Sequence, residues 1–88
     1  MGEIDVLAEL RKENPGRRVV DLRVFADALE VYKEASANVR ENGAIVMHPR
    51  TGAPIENPYL MIETAAGAVL AKMRGVKADK VLRKIGLG

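Results

Sequence analysis

Eighty-eight residues with no cysteine and a single histidine, His48, allow one small domain and leave neither a disulfide framework nor a structural zinc site to brace it. Only Phe25, Tyr32 and Tyr59 are aromatic, so the core is aliphatic and small, and association with further copies is the natural remedy. No apolar run approaches the roughly 18 residues of a membrane span, and the first ten residues carry three acids where a signal peptide starts basic, which predicts a cytosolic protein with no membrane partner.

The chain reads as one domain, residues 1–88, mainly α, with short terminal helices around a hairpin of two long antiparallel helices joined by a small β-hairpin. Ile4, Leu7, Ala8 and Leu10 predict a first short helix, with Glu3 and Asp5 near its start and Arg11 and Lys12 at its end, as the helix dipole favours. The run Asn14-Pro15-Gly16 stops it, so that residues 1–18 form a helix and turn.

From Val19 to Asn42 there is neither Pro nor Gly, and Leu22, Phe25, Leu29, Tyr32, Ser36 and Val39 recur at helical spacing. This predicts a long helix with Asp21 as N-cap. A second stripe, Val20, Val24, Ala28, Val31 and Ala35, lies beside the first. Either the helix has one broad core face or it has two packing surfaces, one for its own subunit and one for a neighbour. Gly43 has the position of a helix-closing glycine.

Residues 44–56 form the predicted β-turn tip. Ala44–Met47 is β-prone, His48-Pro49-Arg50-Thr51-Gly52 is a turn, and Ala53–Ile55 returns along the first arm, with Pro54 confining that arm to an edge. His48 and Arg50 either touch a partner there or decorate a structural turn. Asn57-Pro58 opens the next helix, Asn as cap and Pro at the first position. Tyr59, Ile62, Ala66, Val69 and Met73 then share a face up to Gly75, which completes the hairpin core, residues 19–75. Small residues from Ala65 to Ala71 permit close approach of another helix. Residues 76–88 read as a basic terminal helix, Val76 to Ile85, with Val81, Leu82 and Ile85 apolar.

The order of these motifs resembles the small subunit of phage terminases. It is carried by Ala26 and Tyr32 on the long helix, by Gly43, by His48-Pro49-Arg50-Thr51-Gly52, and by Asn57-Pro58-Tyr59-Leu60. The resemblance covers residues 22 to 73. It implies a non-catalytic DNA-packaging adaptor, phage or prophage encoded and acting in the cytoplasm of the bacterial host. Such an adaptor recognises viral double-stranded DNA, assembles into a ring of copies, regulates the terminase large subunit and needs no cofactor. On this reading Leu22, Phe25, Leu29, Tyr32 and Val39 pack against the second long helix, while Val20, Val24, Ala28, Val31 and Ala35 face a neighbouring subunit. The segment from Arg74 to Arg83 and the ending "KIGLG" depart from the family pattern, which usually continues past Gly-Leu. The residues agree that no catalyst is present: there is no Gly-x-x-x-x-Gly-Lys-Ser/Thr loop and no acidic set for two metal ions.

Charge is unevenly spread: residues 1–23 hold five basic and five acidic side chains, residues 24–69 three and six, and residues 70–88 six and one. Two groups are candidates for DNA phosphate, Arg11, Lys12, Arg17, Arg18 and Arg23 near the start, and Lys77, Lys80, Arg83 and Lys84, with Lys72 and Arg74 before them, in the tail. The alternative for the first group is a solvated face balanced by its acids, and for the second, ordinary last-turn helix charge. Two other functions fit the residues alone: a small dimeric DNA-binding regulator built on residues 1–42, and a helical hairpin that binds only protein.

Overall fold

In a computed structural model, which describes residues 5–87, four helices and one two-stranded antiparallel sheet follow in the order α1 (Val6–Glu13), α2 (Val19–Asn42), β1 (Ile45–Met47), β2 (Pro54–Glu56), α3 (Pro58–Lys72) and α4 (Asp79–Lys84). The Asp5 side chain caps α1 by accepting from Ala8 N–H at 3.1 Å, and Asn14 ends it. The expected positions Glu3 and Ile4 lie outside the described residues.

The long helix runs as the sequence indicates, with one correction at its start. Arg18, not Asp21, is the N-cap residue, and no side chain caps the backbone there. Asp21 lies one turn inside, where it accepts from the Arg18 guanidinium at 3.2 Å and complements the helix dipole. At the other end Gly43 takes φ +87° and ψ 172°, and its N–H closes the helix on Val39. That backbone conformation is essentially restricted to glycine.

The strands pair Ile45 with Glu56, Val46 with Ile55 and Met47 with Pro54, so the proline sits at the end of the ladder, where a missing donor costs little. Val46 and Ile55 turn inward and their neighbours outward, as the two-residue period requires. Asn57 then starts α3, its side-chain oxygen accepting from Tyr59 N–H at 3.0 Å with Pro58 in the first helical position. Its amide nitrogen also donates to Asn38 Oδ1 at 3.1 Å and to Gly43 C=O at 2.9 Å, fastening the start of α3 to the end of α2. Lower down, the Tyr32 ring lies against Gly67. Asn38 meeting Asn57 and Tyr32 meeting Gly67 make α2 and α3 antiparallel neighbours.

The core is concentrated at the end away from the β-hairpin. Leu10, Leu22, Phe25, Ala26, Leu29, Val76, Ala78 and Val81 are buried together, with Leu70 and Met73 packed against them. The first stripe of α2 is therefore divided: Leu22, Phe25 and Leu29 join this cluster with Leu10 of α1, Val81 of α4 and the Val76–Ala78 segment before α4, whereas Tyr32 reaches α3. The last helix is shorter than the spacing suggests, because Val76 to Ala78 are not helical. The Asn14 side chain donates to Lys77 C=O at 2.8 Å and accepts from Lys77 N–H at 2.7 Å, occupying the backbone groups a helix would need there. Val76 and Ala78, on either side, point into the core.

Candidate nucleic-acid interface

The two basic groups, more than fifty residues apart in sequence, meet at one end of the molecule. Asn14 is the clamp: besides its two bonds to Lys77, its amide donates to Leu10 C=O at 2.8 Å, and the residue is almost fully buried. Glu13 adds a second tie, accepting from Lys80 N–H at 3.1 Å and so capping α4, whose own cap residue Ala78 has no side-chain acceptor. Its other oxygen, Oε2, is buried without a partner. Glu9 is a third, accepting from Lys84 Nζ at 2.9 Å with Lys12 at 3.6 Å. The Lys84 hydrogen bond holds the Glu9 carboxyl below its ordinary value of 4.5 against the opposing effect of desolvation, and the Lys12 charge assists.

Arg17 spans the junction. Its guanidinium lies over Gly75, in the space a β-carbon there would fill, one residue from Arg74 and two from Lys77 along the chain. Any side chain at 75 would displace it.

Among the described residues the candidate cations thus fall into two sets. Lys12 and Lys84 share Glu9, and Arg18 holds Asp21. Arg11, Arg17, Arg23, Lys72, Arg74, Lys77, Lys80 and Arg83 are exposed and make no ion pair. Exposed pairs of the first kind are screened by water and contribute little, so a phosphate competes for them at little cost. Arg17 and Lys77 come together around the clamp; Arg23 and Arg18 lie on α2 without a link to the tail. The sequence does not single out the clamp, since an Asn before Pro-Gly reads only as a helix stop, and a side chain's partner 63 residues away leaves no local signal.

At the opposite end the β-turn is built from its own side chains. His48 Nδ1 accepts from Arg50 N–H at 3.1 Å and Thr51 N–H at 3.4 Å, and Thr51 Oγ1 accepts from Ala53 N–H at 3.2 Å. Gly52, at φ +71°, donates its N–H to His48 C=O. His48 and Thr51 are accordingly turn-forming residues, while Pro49 and Arg50 are exposed at the tip. A shallow open cleft at the root of the hairpin is lined by Asn38, Asn42, Ile45, Met47, Asn57 and Tyr59 and carries no charged side chain. Leu60 is half-buried on α3.

The second stripe of α2 is split by burial. Val20, Val24 and Val31 are 57%, 47% and 42% exposed, Ala28 is half-buried and Ala35 fully buried. No group of three or more His, Cys, Asp or Glu side chains among the described residues is arranged to hold a metal ion, and none of the described helices is long and apolar enough to cross a membrane. Comparisons of the chain with protein-family models, with curated proteins and with solved structures gave no match.

Proposed function

We propose that this chain is the small subunit of a phage terminase, a non-catalytic adaptor that binds viral double-stranded DNA, assembles with copies of itself into a ring and passes the DNA to the large subunit. The observation that carries the reading is the joining of both basic segments by the Asn14 clamp at one end of a helical hairpin whose remaining length, residues 24–69, carries more acidic than basic side chains. The ordered motif set from Ala26 to Leu60 supports it independently.

The physical roles follow from charge and rigidity. Arg17, Arg74, Lys77 and Lys80, held on a backbone fixed by Asn14 and Glu13, neutralise phosphates and release counterions, which gives affinity with little sequence information. Helix α2, 24 residues long and packed against both α1 and α3, is too long and too engaged to act as an isolated recognition helix. A regulator confined to residues 1–42 is less well supported, because Leu22, Phe25 and Leu29 of that segment are covered by Val76, Ala78 and Val81 from outside it.

The test is fluorescence anisotropy of a labelled phage duplex over a range of salt, with the Arg17→Glu/Lys77→Glu variant alongside. The expected result is binding whose log affinity falls linearly with log salt, and a slope shallower by about 1.8 in the double variant, at 0.9 per phosphate contact. Co-expression with a terminase large subunit is expected to yield a complex. Salt-independent or absent DNA binding together with no such complex overturns the proposal.

A further inference from the structure

The chain exposes 6452 Å², about a quarter more than the ~5,100 Å² expected of a compact monomer of its mass. Its radius of gyration is 15.3 Å against about 12 Å for a compact chain of this length. The excess of roughly 1,400 Å² approaches two standard protein contact faces of about 800 Å² each. The molecule is elongated, 51 × 31 × 19 Å, and two apolar faces contribute to the excess.

The first is the back of α2. At 3.6 residues per turn, Val20, Val24 and Val31 fall within roughly 40° of one another and about 180° from Leu22 and Leu29, which hold α1 and α4. The valines therefore lie on the side of the hairpin that the terminal helices leave bare. The second is the outside of α3. In Pro58–Lys72 the only charges are Glu63 and Lys72, and only Ala66 is fully buried, so this helix is apolar all round yet covered on one side. Such a helix belongs inside an assembly. Met61, 72% exposed, continues through Ala65 and Ala68 to Lys72 in a stripe pointing away from α2.

We infer that these two faces are complementary: the α3 outer stripe of one copy packs on the α2 valine face of the next. This rests on the assembly proposed above and names its contact. The argument for a second copy is shape and charge. Ala65 and Ala68 leave room for the valine ridge, and the exposed acids Asp27, Glu30 and Glu34, which flank that ridge without an ion-pair partner among the described residues, meet Lys72, which also has none. A face-to-itself pairing of the valine stripe would instead bring together two rows in which three acids, Asp27, Glu30 and Glu34, outnumber one base, Arg23. Different patches on the two partners make the contact heterologous, the kind that closes into rings.

The absence of native cysteine makes the test clean. Val31→Cys and Ala65→Cys variants are prepared separately and mixed with a short bismaleimide. The inference expects a cross-linked pair only in the mixture, and a ladder of multiples from the Val31→Cys/Ala65→Cys double variant. Cross-linking by Val31→Cys alone, or none in the mixture, overturns it. Native mass spectrometry of the unmodified chain separates the two levels of failure. Closed multi-subunit species without the expected cross-link refute this contact and leave the packaging reading standing, whereas a monomer at all concentrations removes the ring as well. Val31→Glu, an exposed change that leaves the monomer fold intact by circular dichroism, is expected to lose the larger species.

Discussion

Replacing Asn14 with alanine removes three hydrogen bonds, but their consequences differ. Leu10 C=O retains the bond from Asn14's own N–H, at 2.9 Å, so little is lost there. Lys77 loses partners for both its N–H and its C=O. At about 1–1.5 kcal/mol for each of these, with water reaching part-buried groups, Asn14→Ala is expected to cost about 2–3 kcal/mol. That is a large share of the stability of a domain this small. Urea unfolding monitored by circular dichroism reads the change, and anisotropy on the same protein reads its effect on DNA, which should weaken because Arg17 and Lys77 are no longer held together. Asn14→Asp keeps the acceptor for Lys77 N–H but loses both donations, so it should be no less damaging at neutral pH. An Asn14→Ala protein within about 0.5 kcal/mol of the parent, with DNA affinity unchanged, would refute the claim that this side chain couples the two basic segments.

Gly43→Ala places a β-carbon on a backbone at φ +87° and ψ 172°, and is expected to cost about 1–3 kcal/mol in thermal unfolding, the range for strained backbone. Glu9→Gln should destabilise the protein at neutral pH. Because the native carboxyl is held below 4.5, mainly by Lys84, its contribution is present above that value and is lost as pH falls through the lowered native value. The melting-temperature gap between parent and variant should therefore close between neutral pH and the acid side of the carboxylate range. Val31→Glu, with no basic residue three or four positions away on α2, should weaken DNA binding as much as it weakens assembly, read by anisotropy at concentrations where the parent is assembled.

The elements were legible where a local signal exists. Asn57-Pro58, Gly43 and the unbroken run from Val19 to Asn42 each act within a few residues, through capping, positive φ and periodicity, and their positions match the structure. The failures are of another kind. Asp21 resembles a cap but prefers the Arg18 guanidinium beside it. Apolar spacing puts the start of α4 at Val76, because it does not reveal that Asn14 holds Lys77. The same long-range bond unites the two basic groups, so the candidate interface could be read as two charge clusters but not as one surface. The two stripes of α2 were visible; which part of each is covered depended on where α1 and α4 lie, and Ala35 changed sides accordingly.

Asn14 and Val31 act on opposite sides of one physical argument. A single chain offers only a few phosphate contacts, and at physiological salt each adds modestly to affinity. In a heterologous ring every copy has the same orientation to the axis, so the α1–α4 end of each subunit lies on the same rim. Contacts that are weak singly then act together at high effective concentration. This requires the basic end to be rigid relative to the hairpin in the proposed ring, and Asn14 and Glu13 contribute to that rigidity by tying α4 and its approach to α1. A face-to-itself dimer gains less, because its two-fold axis offers two basic ends and not a continuous basic rim.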